Sequence, residues 1–232
     1  MSKKVTPKVF EETTTRWKEE DMLQLSQHFH KYDKNSGQYL RARYFVMNAD
    51  DVDTFNAIKE ITDMKIYLAL NEGNKEKLTF FPILQINDEH LFELSPETKV
   101  GDKRITEFVP ATFKEMICKN WDDSEIHIID DLFTVKKQQT LQRVLFYHTS
   151  DNIISFINTE LLGNIKDIIL YPGIDMNKFQ YKEMISFTPV LAFKQKEKKN
   201  YNTGLIGVIE SVLNDEVFIE YLTPCPPTCP EE

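Results

Sequence analysis

Residues suited to chemistry are few in this chain, and they are scattered. Two thiols stand four positions apart near the C-terminus, in Cys225-Pro226-Pro227-Thr228-Cys229-Pro230. Such a pair could bind a soft metal or close a disulfide, but a zinc site needs about four ligands and no second CxxC-like or histidine pair accompanies it. The consecutive prolines are expected to hold the spacer extended and the thiols apart unless the chain turns. Cys118 falls in an apolar-periodic segment with Phe113 and Ile117 and reads as a core filler. Of the five histidines, His28 and His30 would diverge by about 200° on a helix and could not share an ion. His148 ends a predicted strand just before Asp151, at a helix start, where an imidazole could serve as a base. The pairs Asp50 and Asp51, Asp122 and Asp123, and Asp130 and Asp131 are adjacent, and adjacent carboxylates do not face one another on a helix. GxSxG, HExxH, P-loop, GxGxxG and EF-hand patterns are absent. Seven glycines leave few places where backbone could cradle a phosphate. No catalytic residue, cofactor or metal centre is therefore assigned, Cys225 and Cys229 being the sole metal-ligand candidates.

The bulk of the chain narrows the partners. A net charge of −9 repels phosphate backbones and anionic headgroups, so nucleic acid and membrane are not expected partners. The basic run Lys194, Lys196, Lys198 and Lys199 lies between apolar segments without a stacking platform and reads as a solvated hairpin loop. No stretch approaches the roughly 20 apolar residues that span a bilayer, and few cysteines suit a reducing compartment, so a cytoplasmic location is expected. With 41% hydrophobic and 12% aromatic residues, the 232-residue chain can build an ample core.

The elements that would position these groups are predicted to occur twice. Gln38 to Phe55 aligns without a gap to Gln139 to Phe156 at a constant offset of 101, matching Gln38/Gln139, Leu40/Leu141, Phe45/Phe146, Asp50/Asp151 and Phe55/Phe156. Lys75 to Leu84 aligns to Lys182 to Leu191 at an offset of 107, bringing Pro82 onto Pro189. Ile105, Glu107, Phe108 and Val109 echo Phe218, Glu220, Tyr221 and Leu222. Two blocks in the same order predict a tandem duplication, with an N-terminal extension at 1–15, module A at 16–118, module B at 119–224 and a Cys/Pro-rich tail at 225–232.

Each module is read as a helix (Met22, Leu25, Phe29 and Tyr32; Ile126, Ile129, Leu132 and Phe133), then a strand (Leu40 to Met47; Leu141 to His148). A second helix follows, capped by Asn48 or Thr149 with Asp50, Asp51 or Asp151 in its first turn. Strands at Met64 to Leu70 and Ile168 to Tyr171 lead to the proline-bearing strands, expected to be edges or bulged because proline cannot donate to a ladder. Leu205 to Val212 and Glu216 to Leu222 form a hairpin about Asn214-Asp215. This order predicts an α+β fold of two tandem modules, each an antiparallel sheet with helices on one face. The turn at Asn71 to Asn74 becomes a longer loop, Pro172 to Asn177, in the second module, a candidate for specialisation.

The Tyr44-Phe45 strand running into a capped helix, the Ile66-Tyr67-Leu68 strand and the terminal CPPTCP resemble a group of small bacterial proteins of the Bacteroidetes type without an assigned activity. Members often look like a single module ending in a CPP-x-C tail. The likeness covers most of each module, though module A lacks the tail. It implies a bacterial origin and a shared fold, and it carries over no catalytic residues.

The leading functional expectation is a non-enzymatic module that binds a protein partner through duplicated surfaces; the oligomeric state is left open. One alternative is a ligand-binding or enzymatic cleft between the modules, with His148, Asp151, Tyr171 and Asp175 at its mouth. The other is an acidic immunity-type antagonist that masks a basic protein.

Overall fold

A computed structural model of the chain describes residues 5–73, 76–98, 113–137, 140–180, 184–197, 208–210, 216–219, 222–226 and 229. The fold is α+β. Its helices are α1 (Pro7–Glu19), α2 (Leu25–His28), α3 (Ala49–Asn56), α4 (Phe113–Asp123), α5 (Asp151–Phe156) and α6 (Met176–Gln180). The strands are β1 (His30–Asp33), β2 (Gln38–Arg41), β3 (Tyr44–Met47), β4 (Met64–Leu70), β5 (Phe80–Ile86), β6 (His90–Glu97) and β7 (Thr134–Lys137) in the first part of the chain. They continue with β8 (Thr140–Arg143), β9 (Phe146–His148), β10 (Ile165–Tyr171), β11 (Val190–Gln195), β12 (Val208–Glu210), β13 (Glu216–Ile219) and β14 (Thr223–Cys225).

Ten of these strands form one antiparallel sheet in the order β12-β13-β11-β10-β3-β6-β5-β4-β9-β14, and β1–β2 and β7–β8 stand apart as two-stranded ribbons. The two halves of the chain thus share a sheet: β3 pairs with β10, and β4 pairs with β9. A separate sheet for each module, as the sequence suggested, is not what the pairing shows. The sheet must curl, because β13 and β14 stand near its opposite ends yet only residues 220–222 separate them, a span of about 14 Å at most.

Several elements differ from expectation for identifiable reasons. Met22 to Tyr32 is not one helix; a 3-10 turn at Met22–Gln24 and the short α2 give way to β1, because Asn35-Ser36-Gly37 turns the chain back into β2 with Gly37 at φ 69°. The matching segment is a 3-10 helix, Ile126–Asp131, followed by β7. The Leu40–Met47 and Leu141–His148 strands are each broken in two, separating ribbon from sheet. The opening helix of the chain is α1, which begins inside the supposed N-terminal extension. Thr6 caps it, accepting from the Val9 N–H at 3.3 Å, and Pro7 takes a first-turn position that needs no donor. Its buried stripe is only Thr13 and Trp17, too narrow to show as a periodic pattern.

Pro82 lies in β5, an interior strand between β4 and β6 rather than an edge. Leu68, opposite it on β4, sends its own N–H to Leu145 at 3.0 Å, so the Leu68–Pro82 pair is a non-hydrogen-bonded one and the proline nitrogen faces the other way. On that side the β5–β6 ladder already ends at Ile83 and Glu93. Pro189 stands one residue before β11 begins. The Asn214-Asp215 turn, Lys198, Lys199 and the segment around Ile105 lie outside the described residues, although β12 and β13 do pair antiparallel.

Along the seam between the halves, the same contacts occur twice with roles exchanged. Trp17 of α1 donates its indole N–H to the Val144 carbonyl at 2.8 Å, and Trp121 of α4 donates to the Ala42 carbonyl at 2.9 Å. Arg143 answers with a hydrogen bond to the Trp17 carbonyl at 2.7 Å, and Arg41 bonds the Trp121 carbonyl. Each guanidinium also lies 5.7 Å from the centroid of that tryptophan, so it serves both the helix C-terminus and the indole face. Asn56 exchanges two bonds with the backbone of Ile165, and Asn158 two with Ile61. Phe29, Phe80, Phe133 and Phe187 fill the middle, with Phe29 stacked on Phe133 at 5.4 Å.

These contacts correct the register read from the sequence. Ala42 corresponds to Val144 and Phe45 to Tyr147, an offset of 102 rather than 101. Phe45 and Tyr147 are both buried, whereas Phe146 is half-buried. A slip of one residue turns a strand over. For the same reason the residue that precedes α5 as its N-cap is Ser150, opposite Asn48, and not Thr149, which is buried. Phe80 and Phe187, by contrast, sit at the expected offset of 107 in matching ring contacts with Trp17 and Trp121.

Because both tryptophans are fully buried, Trp17→Phe and Trp121→Phe should each strand a buried carbonyl and lower stability by about 2–4 kcal/mol. Urea unfolding reads this as a lower midpoint with unchanged slope; a loss in one variant alone would show that the two latches are not equivalent.

Candidate functional site

Each ribbon roofs a hollow. Beneath β1–β2 a hollow of about 270 Å³ is lined by Ser26, Gln27, His30, Tyr39 and Ile126. Beneath β7–β8 a second of about 230 Å³ is lined by residues including Asp131, Thr134, Leu141, Phe179 and Met184. The two occupy matching places: Tyr39 and Leu141 stand at equivalent ribbon positions, each exposed, and His30 and Thr134 open the equivalent strands β1 and β7. Tyr39 also meets Tyr32 across the ribbon at 5.4 Å.

His30 forms the inner wall of the first hollow. Its Nε2 accepts from Arg41 Nε at 2.9 Å, so the proton sits on Nδ1, which donates to the Ser26 carbonyl at 2.7 Å. Burial, followed by the neighbouring Arg41 charge, holds its pKa below the ordinary 6.5 in spite of the Ser26 bond. Arg41 is itself spent on Ser124, bonding its hydroxyl and its carbonyl at 2.7 Å each. A neutral imidazole with both nitrogens committed is a wall rather than a base.

Phe179 and Met184 line the second hollow, beyond the longer loop of the second half, Pro172 to Asn177, in which α6 begins. Asp175 anchors it: its Oδ1 accepts from the N–H groups of Asn177 and Lys178 at 3.0 and 3.3 Å, and its own N–H donates to Ser186 at 3.0 Å. Asp175 is thus the buried cap of α6.

The other sequence-flagged residues take up structural places. His148 is a half-buried end of β9, its backbone paired with Lys65 and Thr223. Asp151 is exposed in the first turn of α5. Tyr171 is buried at the end of β10 with Ile117, Val190 and Phe218, its ring 6.2 Å from Tyr44. None of His148, Asp151, Tyr171 and Asp175 lines either hollow, and the seam where a cleft was expected is packed with aromatic rings. His28 and His30 do diverge, though not on one helix: His28 closes α2, with Nδ1 2.6 Å from the Thr79 hydroxyl and Nε2 3.3 Å from Glu20.

Cys225 and Cys229 are joined in a disulfide with Cα atoms 4.6 Å apart. The chain turns at the cis Cys225–Pro226 peptide instead of running on extended. Among the described residues no three His, Cys, Asp or Glu side chains gather as a metal site, and no helix is long and apolar enough to cross a membrane. No family model, curated protein or solved structure matches the chain.

The lowered pKa of His30 sets a direction with pH. Below about 6.5 the unfolded chain takes up a proton that folded His30 resists, so this contribution is complete above that value and is lost as the pH falls. Comparing thermal midpoints at about pH 7.5 and 5.5, the advantage of wild type over His30→Gln should shrink on acidification; an advantage independent of pH would remove the buried neutral imidazole from the account.

Proposed function

We propose that this chain is a non-enzymatic binding module, descended from a tandem duplication of one bacterial unit, whose two ribbon-roofed hollows contact a protein partner. The observation that carries it is the company these hollows keep: Tyr39, Ile126, Leu141 and Met184 are large apolar side chains left exposed, and they line the two hollows. Apolar side chains held open beside a concave surface are what an interface supplies. Tyrosine brings contact area at little entropic cost, and methionine adapts to varied shapes. The repeated seam contacts support the duplication, since matching polar pairs do not arise from amphipathic patterning.

A second reading, an acidic antagonist of a basic protein, has its own support. An open hollow of about 540 Å³ between α1 and the β4–β5 turn is lined by Glu11, Glu12, Glu19 and Glu72 with Arg16 and Thr15.

Tyr39→Ser and Leu141→Ser alter exposed positions and should leave the free energy of unfolding within about 0.5 kcal/mol of wild type. Each should weaken capture of a stoichiometric partner from native lysate about tenfold or more, as interface anchors do, and capture should persist at high salt. If capture vanishes with salt and responds only to Glu11→Gln and Glu72→Gln, the acidic reading replaces the first.

A further inference from the structure

The C-terminal cysteine pair is used by neither the seam nor the hollows, yet its placement gives it access to both solvent and fold. Cys229 is exposed, whereas Cys225 is 4% exposed and forms the last residue of β14. We propose that the Cys225–Cys229 disulfide is a reversible exchange site for an external dithiol, and that its redox state sets whether β14 stays seated on β9.

Exposure decides which sulfur is attacked. A thiolate of the dithiol reaches Cys229, forming a bond to its Sγ while the Cys225–Cys229 bond breaks, and the electron pair leaves on Cys225 Sγ, which then takes a proton. The second thiol of the reagent attacks the mixed disulfide, releasing Cys229 as a thiol and the reagent as its own disulfide. The protein gains two electrons and two protons, and the dithiol loses them.

The fold would register the change because Cys225 closes a ladder. β14 meets β9 through three pairs, Thr223 with His148, Pro224 with Tyr147 and Cys225 with Phe146, and Pro224 can donate nothing. The Cys225 carbonyl accepts from the Leu145 N–H at 2.8 Å, and the Leu145 carbonyl accepts from Leu68 of β4 at 3.0 Å. The residue before Leu145 is Val144, which receives the Trp17 indole. A strand this short depends on whatever restricts the chain just beyond it, and here the Cys225–Cys229 bond is that restraint. Its opening therefore acts one residue from the seam.

The test uses the full-length protein with dithiothreitol in native buffer. It combines alkylation mapping by mass spectrometry with hydrogen exchange at the Leu145 amide. Cys225 and Cys229 should become alkylatable together without denaturant, and Leu145 exchange should accelerate at least about tenfold while core strands such as β5 hold their protection. Cys229→Ser should show the fast exchange without reductant and should not respond to it. The proposal fails if the pair resists reduction until the protein unfolds, if Leu145 exchanges alike in both redox states, or if the cysteines stay free thiols under oxidised dithiothreitol. Should the variant fail to fold, the wild-type titration decides alone.

Discussion

A peptide carbonyl that is buried needs a donor, and in this fold the carbonyls of Ala42 and Val144 find theirs in the opposite half. The indoles of Trp121 and Trp17 cross the seam to reach them, and Arg41 and Arg143 return to the carbonyls of those same tryptophans. The two indole–carbonyl bonds are buried, so losing the indole exposes the desolvation cost of the carbonyl it served. The aromatic core depends on this exchange, because Phe29, Phe80, Phe133 and Phe187 pack against the two indoles that the bonds hold in place. So does the sheet: β3 and β9 begin just after Ala42 and Val144, and each then pairs with a strand of the other half. The halves are thereby interlocked rather than merely adjacent.

Much of this was legible, and what was not failed for particular physical reasons. β4 was read to its residue limits, Asn48 was identified as a cap, and the offset of 107 placed Phe80 opposite Phe187. The offset of 101 was one residue out because it rested on identities such as Phe45/Phe146, which ignore the face a side chain occupies. Burial follows Phe45/Tyr147 instead. The signal that could have corrected it was present in Arg41 and Arg143, which stand 102 residues apart and are not brought together by the gapless alignment at 101. α1 escaped because a helix that buries chiefly one large side chain across a seam has almost no amphipathic stripe.

The hollows were less accessible to sequence reasoning than the fold, since each is assembled from distant segments. Tyr39 and Ile126 belong to different halves, and Leu141 meets Phe179 and Met184 only through the tertiary fold. The titratable residues that did stand out were those with a visible local role, and local roles are what claimed them: Asp175 caps α6, Asp151 sits in a helix first turn and His148 ends a strand. The longer loop of the second half, Pro172 to Asn177, leads into α6, whose Phe179 lines a hollow.

Where the halves agree and where they differ follows from one rule of burial. At the seam the matching residues are Trp with Trp, Arg with Arg and Asn with Asn, and each completes a polar contact that a change on one side would leave unpaired. Under the ribbons no such reciprocity exists, and His30 faces Thr134 while Tyr39 faces Leu141 as counterparts. Tyr39 and Leu141 are exposed, and exposed positions tolerate substitution within about 0.5 kcal/mol, so they can differ without disturbing the lock beneath them. His30, by contrast, is buried and bonded to Arg41 and Ser26. The first hollow sets Tyr39 and Ile126 beside Ser26, Gln27 and a neutral imidazole, and the second sets Leu141, Phe179 and Met184 beside Asp131 and Lys136. One scaffold thus offers two concave surfaces of equivalent position and unlike chemistry, and a partner that engaged both would need two different anchors held at the spacing the seam imposes.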